Sequence, residues 1–138
     1  MEELCNVRGD IMAEIKVSVI IPIYNMEQYL EESLNSVLNQ TMKEIEIVCV
    51  DDGSTDGSLE ILNRYKENNG CFRILIQKNQ GSGVARNAGI GVAKGEFVAF
   101  MDPDDYYAEN DVLEYLYNCA KRERVNVCGG GGNLRTGR

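Results

Sequence analysis

The chain has 138 residues, 43% hydrophobic and 26% charged, a balance that reads as one soluble globular domain or part of a larger protein and argues against disorder. With 14 Lys and Arg against 22 Asp and Glu, the formal net charge of -8 argues against a general nucleic-acid binder, because phosphate backbones reward a basic face. Having no histidine excludes Ser/His/Asp and Cys/His nucleophilic catalysis, and five cysteines without CxxC spacing read as reduced, mostly buried thiols of a cytosolic protein, not as a disulfide frame or a zinc site.

Residues 1–16 read as an N-terminal extension. "MEELCNVRGD" lacks the basic-then-apolar order of a signal peptide, and no apolar run in the chain approaches the roughly 18 residues of a membrane span. "VSVIIPI" (Val17 to Ile23) is a β-branched run of the kind buried on both faces of a parallel sheet. Asn25 then suits a helix cap, with Gln28 completing a capping box, and Met26, Tyr29, Leu30, Leu34, Val37 and Leu38 recur at helical spacing. "IEIVCV" (Ile45 to Val50) predicts a second strand that runs into "DDGSTDGS", a turn and helix start, with Leu59, Leu62 and Tyr65 as the apolar stripe of the helix. "FRILI" (Phe72 to Ile76) predicts a third strand. The helix after it, over Val84, Ala85, Ala88 and Val92, contains Gly89 and Gly91, each costing about 1 kcal/mol relative to Ala, which predicts close packing against a neighbour. "EFVAFM" (Glu96 to Met101) is the fourth strand, "DVLEYLYNCAKR" a helix, and "RVNVC" (Arg124 to Cys128) a fifth strand. The domain is thus expected over 17–128, with 129–138 a glycine-rich tail or an end left by truncation.

Strands alternating with helices of this length predict an α/β fold, a mostly parallel sheet with helices on both faces. In such sheets ligands bind outside the carboxyl ends of the strands. "DDGSTD" follows the second strand and "DPDD" the fourth, so both acidic clusters converge there although they are far apart in sequence, and the first strand brings Pro22, Tyr24 and Asn25 to the same edge. Asp102, Asp104 and Asp105 repel one another when ionised, and a divalent cation relieves that; carboxylate oxygens without nitrogen or sulfur partners suit Mg²⁺ or Mn²⁺, which would bridge the diphosphate of a substrate. The plainer alternative is a turn in which Asp102 or Asp104 caps the next helix, and Asp56 or Ser54 could do the same after the second strand. Asp52 could accept from a base N–H. Arg86, at a helix start in an acidic site, suits a phosphate or a base, or a surface ion pair, and Tyr24 suits stacking on a nucleobase or a core edge. "GSGVARN" is a poor dinucleotide fingerprint, with Arg86 where the third glycine belongs, and no P-loop occurs.

"VSVIIPIYN" with "YLEESLNSVLNQT", "EIVCVDDGSTDGS" and "NQGSGVARNAGIGVAKGEFVAFMDPDD" together resemble the nucleotide-sugar-binding, N-terminal portion of a family 2 glycosyltransferase with the GT-A fold, from about Val17 to Cys128. The resemblance implies a Rossmann-like GT-A domain for a nucleoside-diphosphate sugar, often a uridine one, and inverting transfer to an acceptor hydroxyl of a glycan or lipid-linked acceptor. It implies that Pro22, Tyr24 and Asn25 lie beside the base, that Asp52 holds the base, and that Arg86 lies near the nucleotide. Asp102, Asp104 and Asp105 match the Asp-x-Asp-Asp (DXD) element, whose carboxylates serve the ribose and, through Asp104 and Asp105, the metal. Pro103 stands where the family commonly has a small residue. The family's general base lies well after this element, in the acceptor-binding half, so the chain is expected to hold the donor half alone. The resemblance further implies polysaccharide or glycoconjugate synthesis in the cytoplasm, with peripheral association of the full protein at the inner membrane face. A non-catalytic nucleotide-binding module is the alternative; a sugar nucleotidyltransferase ranks last, because "IPIYNMEQYL" has no basic residue for a triphosphate.

Overall fold

The computed structural model describes residues 14–124, so the expected fifth strand past Arg124 and the two ends of the chain lie outside the described residues. Eight elements alternate as expected: β1 Val17–Ile23, α1 Leu30–Leu38, β2 Ile45–Asp51, α2 Ser58–Asn68, β3 Phe72–Ile76, α3 Ser82–Val92, β4 Phe97–Phe100 and α4 Val112–Glu123. The strands form one parallel sheet in the order β3-β2-β1-β4.

β1 and β2 are buried at every position because both faces of the central sheet are covered. Val17, Val19, Ile21 and Ile23 of β1, with Ile45, Ile47 and Cys49 of β2, face a core completed by Leu30, Leu34 and Val37 of α1, Leu62 of α2 and Leu113 of α4. Burial pushes the Cys49 thiol far up, which keeps it protonated and inert. The opposite face is thinner: Ile20, Val48 and Val50 meet Ala85, Ala88 and Val92 of α3. Gly89 explains how α3 lies so low, since a Cβ there would sit 2.6 Å from Ile20 Cγ2; Gly91 faces open space and has no such reason.

Three local expectations are corrected. β4 is shorter than "EFVAFM" at both ends, and Met101 N–H still reaches Ile20 O before the chain turns away. The helix over the first apolar stripe starts at Leu30, with Tyr29 as an N-cap whose side chain makes no capping bond, so Asn25 and Gln28 form no capping box. Asn25 instead adopts a left-handed backbone, φ 53°, and uses its side chain elsewhere. Pro22 lies inside β1, paired with Val50. Its missing N–H points to the β4 side, as Ile20 O does, and β4 pairing has ended by then, so no ladder bond is lost.

Candidate functional site

The carboxyl ends of β2 and β4 flank that of β1, about two strand spacings or 9–10 Å apart, so the two acidic loops leave the sheet on either side of Tyr24 and Asn25. Tyr24 is 45% exposed, and its ring is accessible at this edge.

Asn25 ties the first loop to the second. Its Oδ1 accepts the N–H of Thr55 at 2.7 Å and of Asp56 at 3.2 Å, while its own N–H donates to Ser54 Oγ at 2.9 Å. Met26 N–H donates to Ser58 Oγ, Glu27 N–H donates to Asp56 Oδ2, and Glu27 Oε1 accepts Gly57 N–H at 2.6 Å. Glu27 carries no local motif and was missed by sequence reasoning, because each of its bonds crosses to another loop. Asp56 Oδ1 also accepts Ser58 N–H at 2.8 Å, a local turn bond at the entry to α2, whose N-cap is Gly57 and not the expected Asp56 or Ser54.

Asp52 stands just past β2, 3% exposed, and its carboxylate organises the approach to α3. Oδ1 accepts Gln77 Nε2–H at 2.7 Å and Gln80 N–H at 2.8 Å, and Oδ2 accepts Gly81 N–H at 3.0 Å. Burial pushes its pKa up, but the hydrogen bonds from Gln77, Gln80 and Gly81 outweigh that, and the group sits below the ordinary carboxylate value. Gly81 has φ 102° and ψ 157°, a region reserved in practice for glycine, which turns the chain into α3. One turn later Arg86 Nη2 meets Asp102 Oδ1 at 3.1 Å, with both side chains substantially exposed. The ion pair expected as an alternative for Arg86 is therefore present, and its partner belongs to the acidic cluster.

"DPDD" is a turn as well as a cluster. Asp105 N–H donates to Asp102 O at 3.0 Å, with Pro103 at the position where a fixed φ favours a turn. Neither Asp102 nor Asp104 caps the next helix, whose N-cap is Asp111. One carboxylate oxygen from each of Asp102, Asp104 and Asp105 lies within 4.8 Å of the other two. Three hard oxygen donors at that separation fit an Mg²⁺ or Mn²⁺ ion that keeps waters and shares a substrate's phosphates.

The structure thus brings Tyr24, Asn25, Asp52, Arg86, Asp102, Asp104 and Asp105 to one edge of the sheet, with buried Pro22 beneath them. Of the acidic residues that follow the turn, Asp111 is the α4 N-cap and Glu114 Oε1 accepts Thr41 Oγ1–H at 2.6 Å.

The family model for glycosyl transferase family 2 matches residues 18–133. A cholesterol galactosyltransferase of Borreliella burgdorferi is 42% identical over 118 residues, which cover 86% of this chain and 33% of that protein. Among solved structures, TarS 1-349 of S. aureus in complex with UDP-GlcNAc superposes with a TM-score of 0.73 at 36% identity, covering 80% of this chain and 32% of that one. A mannosyltransferase of Pyrobaculum calidifontis in complex with GDP-Man and Mn²⁺ gives 0.68 at 29% identity, covering 74% and 31%. The chain spans about a third of the length of these relatives.

Proposed function

The chain belongs to glycosyl transferase family 2, and from that premise we propose that it forms the donor-binding part of an inverting glycosyltransferase that takes a sugar from a nucleoside-diphosphate sugar to an acceptor hydroxyl. The observation that carries this reading is the convergence of Asp102, Asp104 and Asp105 at the sheet edge where Tyr24 and the Asp52-held loop also lie. A uridine donor is favoured by the UDP-GlcNAc complex of TarS, which at 36% identity stands nearer in sequence than the GDP-Man-bound mannosyltransferase at 29%. Mn²⁺ in that second complex supports Mn²⁺ or Mg²⁺ as cofactor.

In this reading Tyr24 stacks on the base, while Asn25 and the Asp52 carboxylate shape the pocket around it. Asp52 meets the base either directly or through the Gln77–Gly81 loop it holds. Asp102 serves the ribose, and Asp104 and Asp105 hold the cation, which when bound neutralises the charge that builds on the departing diphosphate. Arg86 adds a second positive charge at the helix start, released from Asp102 or shared with it when the nucleotide binds. Transfer with inversion further requires a base on the opposite side of the sugar from the diphosphate. Asp111 and Glu114 follow the acidic turn closely in sequence and are exposed at the start of α4, and the base is assigned to the acceptor-binding part of a longer protein. The named activity of the B. burgdorferi relative supports a lipid acceptor, and the reading places transfer on the cytoplasmic side of a membrane. No helix among the described residues is long and apolar enough to cross one.

Thermal unfolding with UDP and Mn²⁺, each alone and together, tests the reading. At a hundredfold excess over Kd, bound ligand adds about 2.7 kcal/mol of stability, a rise of about 9–12 °C in Tm for a domain of this order. The reading expects that rise with the pair and much less with either component. No rise with the pair would refute it.

A further inference from the structure

α1 carries polar side chains where a core-facing helix would carry apolar ones. Ser33 and Ser36, at i and i+3, lie in one row beside the apolar stripe of Leu30, Leu34 and Val37, and Gln40 follows just past the end of the helix. All three reach the segment that begins with the acidic turn. The Ser33 hydroxyl, fully buried, donates to Pro103 O at 3.0 Å and to Asp105 O still closer, so a single hydrogen is shared by two carbonyls that bracket Asp104. Ser36 Oγ accepts Tyr107 N–H at 3.0 Å. Gln40 Nε2–H donates to Glu109 O at 2.8 Å, and its Oε1 accepts Leu113 N–H at 3.0 Å.

The grip falls on alternate residues. Met101, Pro103, Asp105 and Tyr107 are buried, whereas Asp102 is exposed and Asp104 half-buried. β4 ends at Phe100, so the carbonyls of Pro103 and Asp105 have no strand ladder to enter and need another donor once they are buried. Ser33 supplies it from the far side of the turn. Fixing the carbonyls on both sides of Asp104 sets the backbone from which the Asp104 and Asp105 carboxylates project.

We propose that Ser33, with Ser36 one turn on and Gln40 just past the helix end, is a positioning residue for the carboxylates of the acidic turn: it acts through the backbone to hold them at cation-binding separation. The proposal rests on the reading of Asp102, Asp104 and Asp105 as the metal and diphosphate site. Residues that orient ligands from behind typically change metal affinity by 10–100-fold when removed.

The test measures free Mn²⁺ by electron paramagnetic resonance as it is titrated into the protein with saturating UDP, and UDP affinity without metal by calorimetry. Ser33→Ala should weaken Mn²⁺ binding about tenfold while leaving metal-free UDP binding unchanged, a split that general loosening of the fold would not give. If Ser33→Ala does not fold, Ser36→Ala, which is half-buried and reaches only the Tyr107 N–H on this segment, carries the same split with a smaller loss. Unchanged Mn²⁺ affinity in a folded variant, or equal loss of both affinities, overturns the positioning role. Wild-type protein that binds UDP but no Mn²⁺ overturns the underlying metal site and the proposal with it.

Discussion

The Asp52 carboxylate accepts the Gly81 N–H at 3.0 Å, and this bond couples the end of β2 to the start of α3. Because α3 carries Arg86, and Arg86 meets Asp102, a residue beside β2 governs a cation whose partner follows β4. The two acidic clusters are joined through α3 as well as through the sheet.

Asp52→Asn tests that coupling. An amide keeps one acceptor oxygen but presents N–H to at least one of the donors from Gln77, Gln80 and Gly81, leaving it unsatisfied in a buried place. The expected loss is about 1–3 kcal/mol at neutral pH, read by urea denaturation. Since the folded-state pKa of Asp52 is depressed, its contribution is complete above the ordinary carboxylate value near 4 and is lost as pH falls through the lower folded value. The stability gap between wild type and variant should therefore be constant above about pH 5 and narrow below it.

Gly89→Ala and Gly91→Ala, made side by side, should separate packing from propensity. A methyl at residue 89 meets Ile20 Cγ2 at 2.6 Å and forces the helix or the strand to shift. The expected destabilisation is about 1–3 kcal/mol. A methyl at residue 91 meets nothing within 4 Å, and the propensity gain of up to about 1 kcal/mol should leave that variant equal to or more stable than wild type. Thermal unfolding of the pair checks both signs.

Ser18→Ala probes the end of the sheet away from the site. Ser18 Oγ donates to buried Glu46 Oε2 at 2.6 Å and accepts Gly95 N–H at 2.8 Å, while Lys94 N–H joins the same carboxylate oxygen at 2.6 Å. Removing the hydroxyl strands the Gly95 N–H and weakens the turn that enters β4, for an expected loss of about 1–3 kcal/mol. Nucleotide affinity, measured well below the new melting temperature, should stay as in wild type, since the cluster lies at the opposite ends of the strands.

The central strands were legible because a doubly covered parallel sheet makes them largely apolar, and the run Val17 to Ile23 is found with the same bounds; Phe72 to Ile76, at the sheet edge and partly exposed, is found with its bounds too. The site was legible at the level of its acidic turns, whose composition makes sense only at a strand end. Asn25 shows where local reading stops. Its cap-like position before a helical stripe suggested a capping box, but its side chain is spent on Thr55 and Asp56, partners about thirty residues away that no local pattern encodes. Ser33 and Gln40 were unread for the same reason, since their partners at Pro103, Asp105 and Glu109 lie about seventy residues on. The signal that could have found them was polarity in the wrong place, beside the apolar stripe of α1.

Under the proposed function, the carboxylates of the acidic turn form a cation site for the donor's diphosphate. Calorimetric titration of UDP into wild type and Asp104→Ala, each with and without Mn²⁺, tests it most directly. Wild-type affinity should rise with Mn²⁺, and the affinity of Asp104→Ala with Mn²⁺ should fall back to the metal-free value, with folding intact. A folded Asp104→Ala variant that keeps the full Mn²⁺ enhancement would contradict it.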